Sequence, residues 1–174
     1  MVQRPLNLKA WIDENRHLLK PPVGNKEVYK QAGDFIVMIV GGPNSRKDFH
    51  YNNTEELFYQ LEGDIHVRIQ EDGKIVDIPI RAGEMFLLPA RVPHSPQRGP
   101  NTVGLVIEKV RDDKEKDKFM WFCENCHEKL YEEEVGVKDI VAQLPPLMER
   151  FYSSKENRTC KKCGHVMEPP VKVG

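Results

Sequence analysis

The alternation of hydrophobic and polar residues predicts a chain that is mostly β over its first two thirds. Between residues 34 and 108, short apolar segments are separated by turn-forming residues. The segment 65–69 alternates apolar and polar residues, as half-buried strands do, and the Asp72-Gly73 pair after it predicts a hairpin turn. At least six strands are predicted, at 34–40, 57–61, 65–69, 75–80, 85–88 and 104–108. Short strands at this spacing are typical of a sandwich or a small barrel.

Helical patterns flank this β-rich part on both sides. Near the N-terminus, Asn7 is placed to cap a helix with apolar residues on one face, which the Pro-Pro pair at 21–22 ends. In the C-terminal part, apolar residues recur at helical spacing over 137–144, until a second Pro-Pro pair at 145–146 interrupts them. The stretch 147–152 then predicts one or two further helical turns.

The character of the sequence changes after residue 111. A run of mixed charge at 112–118 predicts a solvated linker. All four cysteines of the chain follow it. We therefore expect two units, a domain at 1–111 and, at 112–174, a linker with a small C-terminal segment.

Composition and charge exclude several classes of protein. Lys and Arg number 26 against 27 Asp and Glu, which gives a net charge of −1 and argues against nonspecific binding to nucleic acid. The longest apolar run, residues 35–40, is far too short to cross a membrane, and the N-terminus lacks the apolar stretch of a secretory signal. The hydrophobic fraction of 39% fits a globular protein. We expect a cytoplasmic protein with no membrane or nucleic-acid partner.

The four cysteines form two C-x-x-C motifs, Cys123 with Cys126 and Cys160 with Cys163. In a reducing compartment such paired motifs indicate a tetrahedral metal site rather than disulfides. The 33 residues between the motifs are a long spacer, but the entropy of loop closure grows only slowly with length. Zinc is the default ion, and iron in a rubredoxin-like site is the alternative.

Polar residues that suit metal and anion chemistry stand among the predicted strands. His50 and Glu56 lie where a loop enters the strand at 57–61, and His94 lies on a Pro-rich turn after the strand at 85–88. Two histidines and one carboxylate can occupy one face of an octahedral ion and leave the other open, as in non-haem Fe(II) sites that use O2. Spacing alone is weak evidence, because a histidine at a strand end is more often structural.

The surrounding residues resemble the two motifs of the cupin superfamily. Gly42, His50, Glu56 and Gly63 match the first motif, and the segment 83–89 with His94 matches the second. The usual first motif has another histidine two positions before the second one. Asp48 stands there in this chain, which removes a fourth protein ligand and leaves a position for substrate or oxygen.

A closer resemblance covers nearly the whole chain. The segments 18–25, 40–44, 57–61 and 94–98 are similar to those of the 3-hydroxyanthranilate 3,4-dioxygenase family. The paired C-x-x-C motifs match its short bacterial and fungal type. The resemblance implies a mainly β cupin fold, a jelly-roll-like barrel with short flanking helices and a small C-terminal four-cysteine metal segment. It also implies a homodimer, with 3-hydroxyanthranilate and O2 as substrates.

The same resemblance implies a role for each candidate residue. His50, Glu56 and His94 would hold Fe(II), while Arg46 and Arg98 would bind the substrate carboxylate. Glu108 would be the catalytic residue that faces the amino and hydroxyl groups, and Glu56 also belongs to the substrate-binding set. Pro96 near the substrate and Asn25 on an entry loop are weaker expectations.

The implied product is 2-amino-3-carboxymuconate semialdehyde, which cyclises to quinolinate on the route to NAD. Two other functions stay open on the residues alone. One is another cupin enzyme, such as a different ring-cleaving dioxygenase or a metal-dependent isomerase. The other is a non-catalytic cupin sensor with a zinc-ribbon-like interaction segment.

Overall fold

The computed structural model describes residues 4–21, 24–30, 33–137 and 140–171. The strands are β1 (Asn25–Glu27), β2 (Phe35–Gly41), β3 (Phe49–Tyr51), β4 (Glu56–Glu62), β5 (Ile65–Glu71), β6 (Lys74–Ile80), β7 (Met85–Leu88), β8 (His94–Arg98), β9 (Val103–Lys109), β10 (Asp117–Phe122) and β11 (Lys129–Val135). The helices are α1 (Leu8–Asn15), α2 (Ile140–Tyr152) and α3 (Lys155–Arg158), and a 3-10 turn (Arg16–Leu18) follows α1. No helix in these ranges has the length and apolar character needed to cross a membrane.

The strands form two antiparallel sheets, which confirms the prediction of a mainly β fold. The five-stranded sheet has the order β1-β2-β9-β4-β7, and the six-stranded sheet has the order β11-β10-β3-β8-β5-β6. Apolar side chains from both sheets meet in one core, with Phe58 and Val106 from the first sheet against Val67 and Ile80 from the second. Packing two sheets face to face buries this core on both sides.

The hairpin between β5 and β6 follows from its sequence. Ile65, Val67 and Ile69 are buried while the residues between them are not, as the alternation predicted. At the turn, Asp72 and Gly73 have φ values of 49° and 77°. Two successive positive φ values are what a two-residue hairpin turn of this twist requires, and Asp-Gly adopts them readily.

Helix α1 packs against the five-stranded sheet. The side chain of Asn7 accepts a hydrogen bond from the backbone N–H of Ala10 at 3.0 Å, so it caps the helix as predicted. Ile12 and Leu19 are buried against Ile39 of β2. Of the Pro-Pro pair expected to end this region, the second proline lies outside the described residues.

The C-terminal part departs from the predictions in two ways. The charged run at 112–118 is not all linker, because Asp117 begins β10 and is only 1% exposed. In addition, α2 continues through both Pro145 and Pro146, where an interruption was predicted. Tertiary packing explains the second difference: Leu147 and Phe151 of α2 are fully buried against the aromatic residues of β10, and such packing outweighs local helix propensity.

Strand β10 joins the C-terminal part to the β-rich part. It pairs with β3, with Phe119 opposite His50, and on its other side with β11. The division of the chain at residue 111 stays a prediction, but the six-stranded sheet extends across it. Residues after the predicted boundary therefore lie next to the predicted metal ligands.

Candidate active site

Two short strands bring the candidate metal ligands together. His50 of β3 is the direct pairing partner of His94 of β8, and Glu56 begins β4 in the opposite sheet. One ligand atom from each of the three residues lies within 4.8 Å of the others. His94 Nε2 lies 3.0 Å from Glu56 Oε2. All three side chains are buried, so they form one enclosed cluster between the sheets.

Local contacts prepare this cluster for a metal ion. His94 Nδ1 lies 3.0 Å from the carbonyl oxygen of Val92, which can only accept a hydrogen bond. Nδ1 therefore carries the proton, and the lone pair of Nε2 faces Glu56. Glu56 Oε2 is buried without a hydrogen-bond partner, and a buried carboxylate oxygen in that state needs a cation. Two imidazoles and one carboxylate fit a divalent transition metal such as Fe(II).

The acidic residue two positions before His50 does not belong to the cluster. Asp48 is buried and forms an ion pair with Arg46. The ion pair holds the pKa of Arg46 above its usual value although burial opposes it. Asp48 therefore positions an arginine where the usual cupin motif supplies a metal ligand.

A buried ion network, which the sequence did not reveal, supports His50. Asp117 Oδ2 lies 2.7 Å from Nε2 of His50, and Arg111 Nη2 lies 2.9 Å from the same oxygen. Arg111 Nη2 is also 2.5 Å from Oε2 of Glu108. A carboxylate behind a ligating histidine fixes the rotation and the protonation of its ring. One guanidinium thus connects the histidine to the predicted catalytic carboxylate.

Glu108 stands opposite Glu56 in neighbouring strands of one sheet. Burial and the negative charge of Glu56 raise the pKa of Glu108 above its usual value, and the ion pair with Arg111 opposes this only in part. A buried carboxyl with a raised pKa exchanges its proton closer to neutral pH than a solvated one. This geometry suits a group that accepts a proton and later returns it.

The two predicted carboxylate-binding arginines differ in their surroundings. Arg46 is already paired with Asp48. Arg98 is 5% exposed, and within the described residues its guanidinium has no carboxylate partner; its side chain donates to the amide oxygen of Gln60 at 3.3 Å. Burial lowers the pKa of Arg98 to about 10. A buried cation without a counter-ion is a strong binding feature for an anionic ligand.

The two weaker expectations lie on separate sheets. Asn25 is on β1, paired with Val40, and is half-buried. Pro96 is on β8, two residues after His94, and its carbonyl accepts a hydrogen bond from Asn44 at 2.9 Å. Contact of Asn25 or Pro96 with a substrate stays a prediction.

The four cysteines converge on a second cluster in the C-terminal part. Their sulfur atoms lie within 4.8 Å of one another, and no disulfide joins them. Each C-x-x-C motif is a tight turn of the same design, with backbone hydrogen bonds from His127 to Cys123 and from Gly164 to Cys160, both 2.9 Å. Hydrogen bonds from the Asn125 side chain and the His165 backbone lower the pKa of the Cys163 thiol to about 6. Four converging sulfurs fit a tetrahedral metal ion.

Replacement of one cysteine by serine should destabilise the fold without altering the His50–Glu56–His94 cluster. A closed four-sulfur shell contributes folding free energy, so we expect Cys160→Ser to lower the free energy of unfolding by about 2–4 kcal/mol. Denaturant unfolding with metal analysis measures both effects. The control is Lys161→Ser, an exposed change within the same turn. A stable Cys160→Ser protein that selectively loses the histidine-bound metal would contradict a structural role.

Comparisons with known proteins found relatives that match most of this sequence. The model of the family described as 3-hydroxyanthranilic acid dioxygenase matches residues 1–152. The 3-hydroxyanthranilate 3,4-dioxygenase of Xanthomonas oryzae pv. oryzae (strain MAFF 311018) is 54% identical over 170 residues, covering 98% of this chain and 96% of that protein. The enzyme of the same name from Bacillus thuringiensis (strain Al Hakam) is 48% identical over 169 residues, covering 97% of this chain and 93% of that protein.

The solved structures to which this chain is similar include a cupin-2 domain protein from Shewanella frigidimarina. Its TM-score is 0.48, and the match has 19% sequence identity and covers 57% of this chain and 92% of that chain. The family match and the curated relatives extend over far more of the sequence. They confirm the family that the sequence motifs indicated. The chain belongs to the 3-hydroxyanthranilic acid dioxygenase family.

Proposed function

We propose that this protein opens the ring of 3-hydroxyanthranilate with O2, using Fe(II) held by His50, Glu56 and His94. Both oxygen atoms enter the product, 2-amino-3-carboxymuconate semialdehyde. One observation carries the proposal: a buried cluster of two histidines and one carboxylate shares a strand with a buried arginine, Arg98, for which the described residues provide no carboxylate partner. Near-complete coverage by relatives named 3-hydroxyanthranilate 3,4-dioxygenase supports the same substrate.

The arginines bind and orient the substrate. The carboxylate of an aromatic acid is the anion that Arg98 lacks, and a guanidinium can hold it through two parallel hydrogen bonds. Arg46, anchored by Asp48, contributes positive charge on the same side. With the carboxylate fixed, the amino and hydroxyl groups of the ring are directed towards Glu108 and the metal ligands. Holding the ring in one orientation next to the metal ligands lowers the entropic part of the reaction barrier.

Glu108 moves the proton that the chemistry requires. The substrate hydroxyl must lose a proton to become an electron-rich phenolate, and Glu108 is the carboxylate opposite Glu56 that can accept it. Its ion pair with Arg111 keeps the carboxylate in place, and the same carboxyl later returns the proton to the product. When bound, Fe(II) supplies the one-electron chemistry that allows O2 to react with an aromatic ring.

The proposed enzyme also has a second metal ion, a cytoplasmic location and a homodimeric assembly. The four cysteines hold a second ion, Zn or Fe, with a structural role because a tetrahedral sulfur shell leaves no open position. Free thiols fit a reducing cytoplasm. The family resemblance supports a homodimer and a product that cyclises to quinolinate, the precursor of NAD.

Oxygen uptake tests the proposal directly. The protein is prepared metal-free, reloaded with Fe(II) under anaerobic conditions and mixed with 3-hydroxyanthranilate and O2. We expect one O2 consumed for each substrate, with loss of the aromatic absorbance, and no uptake without Fe(II). No uptake by protein that carries one equivalent of iron would overturn the proposal, and uptake only with another aromatic compound would replace the substrate.

A further inference from the structure

Arg98 is held in place by a neutral side chain. Gln60 of β4 is 1% exposed, and its amide oxygen is the acceptor 3.3 Å from Arg98 Nη1. The other end of that amide is also fixed, because Nε2 donates to the backbone carbonyl of Glu62 at 2.8 Å. This second contact requires the amide oxygen, and not the NH2 group, to face Arg98. The arginine is therefore anchored by a group that carries no negative charge.

A glycine on the adjacent strand makes space for this contact. Gly104 of β9 is the pairing partner of Gln60. A Cβ at position 104 would lie 2.7 Å from Gln60 Oε1 and 2.9 Å from Arg98 Nη1, closer than real Cβ atoms approach such atoms. Its φ is not in the left-handed region, so the backbone does not require glycine there. A side chain at position 104 would therefore displace the guanidinium of Arg98 or the amide of Gln60 from their present contact.

We propose that Gln60 and Gly104 are positioning residues that keep the charge of Arg98 unpaired and so make the site selective for a carboxylate-bearing ring. This inference rests on the proposed function and adds the groups that set its specificity. A glutamate at position 60 would also present an oxygen to Arg98, but it would neutralise the arginine and could not donate to the carbonyl of Glu62. The amide satisfies a guanidinium N–H and leaves the positive charge for the substrate.

The contrast with Arg46 explains why this matters. Arg46 already has a buried carboxylate partner in Asp48, so its net demand for an anion is small. Burial lowers the pKa of Arg98 to about 10. The negative charge of Glu56 opposes this shift, and the positive charge of Arg46 adds to it. A bound carboxylate therefore offsets the cost of burying a positive charge more at Arg98 than at Arg46. Selectivity between an aromatic acid and its neutral counterpart is then decided by what surrounds Arg98.

The test is the charge-introducing variant Gln60→Glu. The two compounds compared are 3-hydroxyanthranilate and 2-aminophenol, which is the same ring without the carboxylate. We expect anaerobic binding of 3-hydroxyanthranilate by the Fe(II) protein, followed by fluorescence, to weaken about 10- to 100-fold. The affinity for 2-aminophenol should change less than about threefold, and kcat/KM should show the same selective loss.

Two further variants separate this role from general damage. Gln70→Glu adds the same charge on β5, five residues beyond Ile65, the pairing partner of Arg98, and should leave both affinities unchanged. Gln60→Met removes the anchoring oxygen without adding charge, and we expect about a three- to tenfold selective loss for the acid, because Arg98 is less well positioned. It also provides a result if Gln60→Glu fails to fold.

Equal losses for both compounds in Gln60→Glu, or unchanged binding in either Gln60 variant, would overturn the inference. Failure of the proposed function gives a different result, since wild-type protein would then consume no O2 with 3-hydroxyanthranilate. In that case the binding comparison between the acid and its neutral counterpart still tests the role of Gln60. The two ideas can therefore fail separately.

Discussion

Replacement of His50, Glu56 or His94 by alanine is expected to abolish Fe(II)-dependent ring opening while the protein stays folded. Loss of one of three ligands leaves two, which is too few to retain a labile divalent ion in an open site. Replacement of residues behind a metal ligand already lowers metal affinity or activity about 10- to 100-fold. Loss of a ligand should therefore reduce activity by more than about 100-fold. Iron content after gel filtration and oxygen uptake measure the two effects.

The buried network around the cluster explains why these variants should fold. In His50→Ala, Asp117 keeps its ion pair with Arg111, so no buried charge is left without a partner. His66→Ala is the matched control, because His66 is 40% exposed on β5 and lies in the same sheet. Full activity with a normal iron content in any of the three ligand variants would remove that residue from the proposed site.

The mainly β fold and the family could be predicted from the sequence because their signals are local. The strand from Ile65 to Glu71 follows from alternation, and the turn after it follows from Asp-Gly. The motif around His50, Glu56 and His94 was enough to indicate the cupin resemblance. The family match supports the enzymatic function that the sequence indicated. It favours an enzyme over a non-catalytic cupin sensor.

Several strands could not be predicted, and two of them carry the candidate ligands. Strand β3 has only three residues, and β8 is polar and contains Pro96. Neither segment shows apolar alternation, because the inward positions are occupied by histidine and arginine instead of aliphatic residues. The residues that the site needs therefore replace the apolar alternation from which a strand is predicted. Only pairing with neighbouring strands defines β3 and β8.

The polar contacts that support the site were also invisible in the sequence. Asp117 contacts His50 across 67 residues, and it stands at the end of a charged run that is typical of a linker. Its role depends on β10 pairing with β3, which is a tertiary event. The hydrogen bond from Arg98 to Gln60 likewise spans 38 residues. Contacts over such separations leave no local signal, whereas the cysteine motifs were recognisable because their spacing is short.

Removal of Arg98 should convert the enzyme from one that prefers an aromatic acid to one that scarcely distinguishes it from the neutral ring. A hydrogen bond to a charged group contributes about 1.5–3 kcal/mol, which corresponds to about a 10- to 150-fold change in an equilibrium constant. We therefore expect Arg98→Ala to lower kcat/KM for 3-hydroxyanthranilate by about 10- to 100-fold. The value for 2-aminophenol should change much less, and Fe(II) content should be normal.

The surroundings of Arg98 make this effect selective. Among the described residues, its removal leaves the neutral amide oxygen of Gln60 without its donor and leaves no buried charge without a partner. Arg46→Ala, by comparison, would leave the buried carboxylate of Asp48 unpaired, so it should lower stability as well as activity. Arg68→Ala is the matched control, since Arg68 is 43% exposed and pairs with Asp77 on the next strand.

The decisive measurement is the ratio of kcat/KM for the two compounds at one fixed iron loading. In wild-type protein the ratio reflects what the carboxylate adds to transition-state binding. Because 2-aminophenol lacks that carboxylate, Arg98→Ala should reduce the ratio by nearly the full factor lost on 3-hydroxyanthranilate, and Arg68→Ala should leave it unchanged. Equal proportional losses on the two compounds would mean that Arg98 shapes the site as a whole and does not bind the carboxylate.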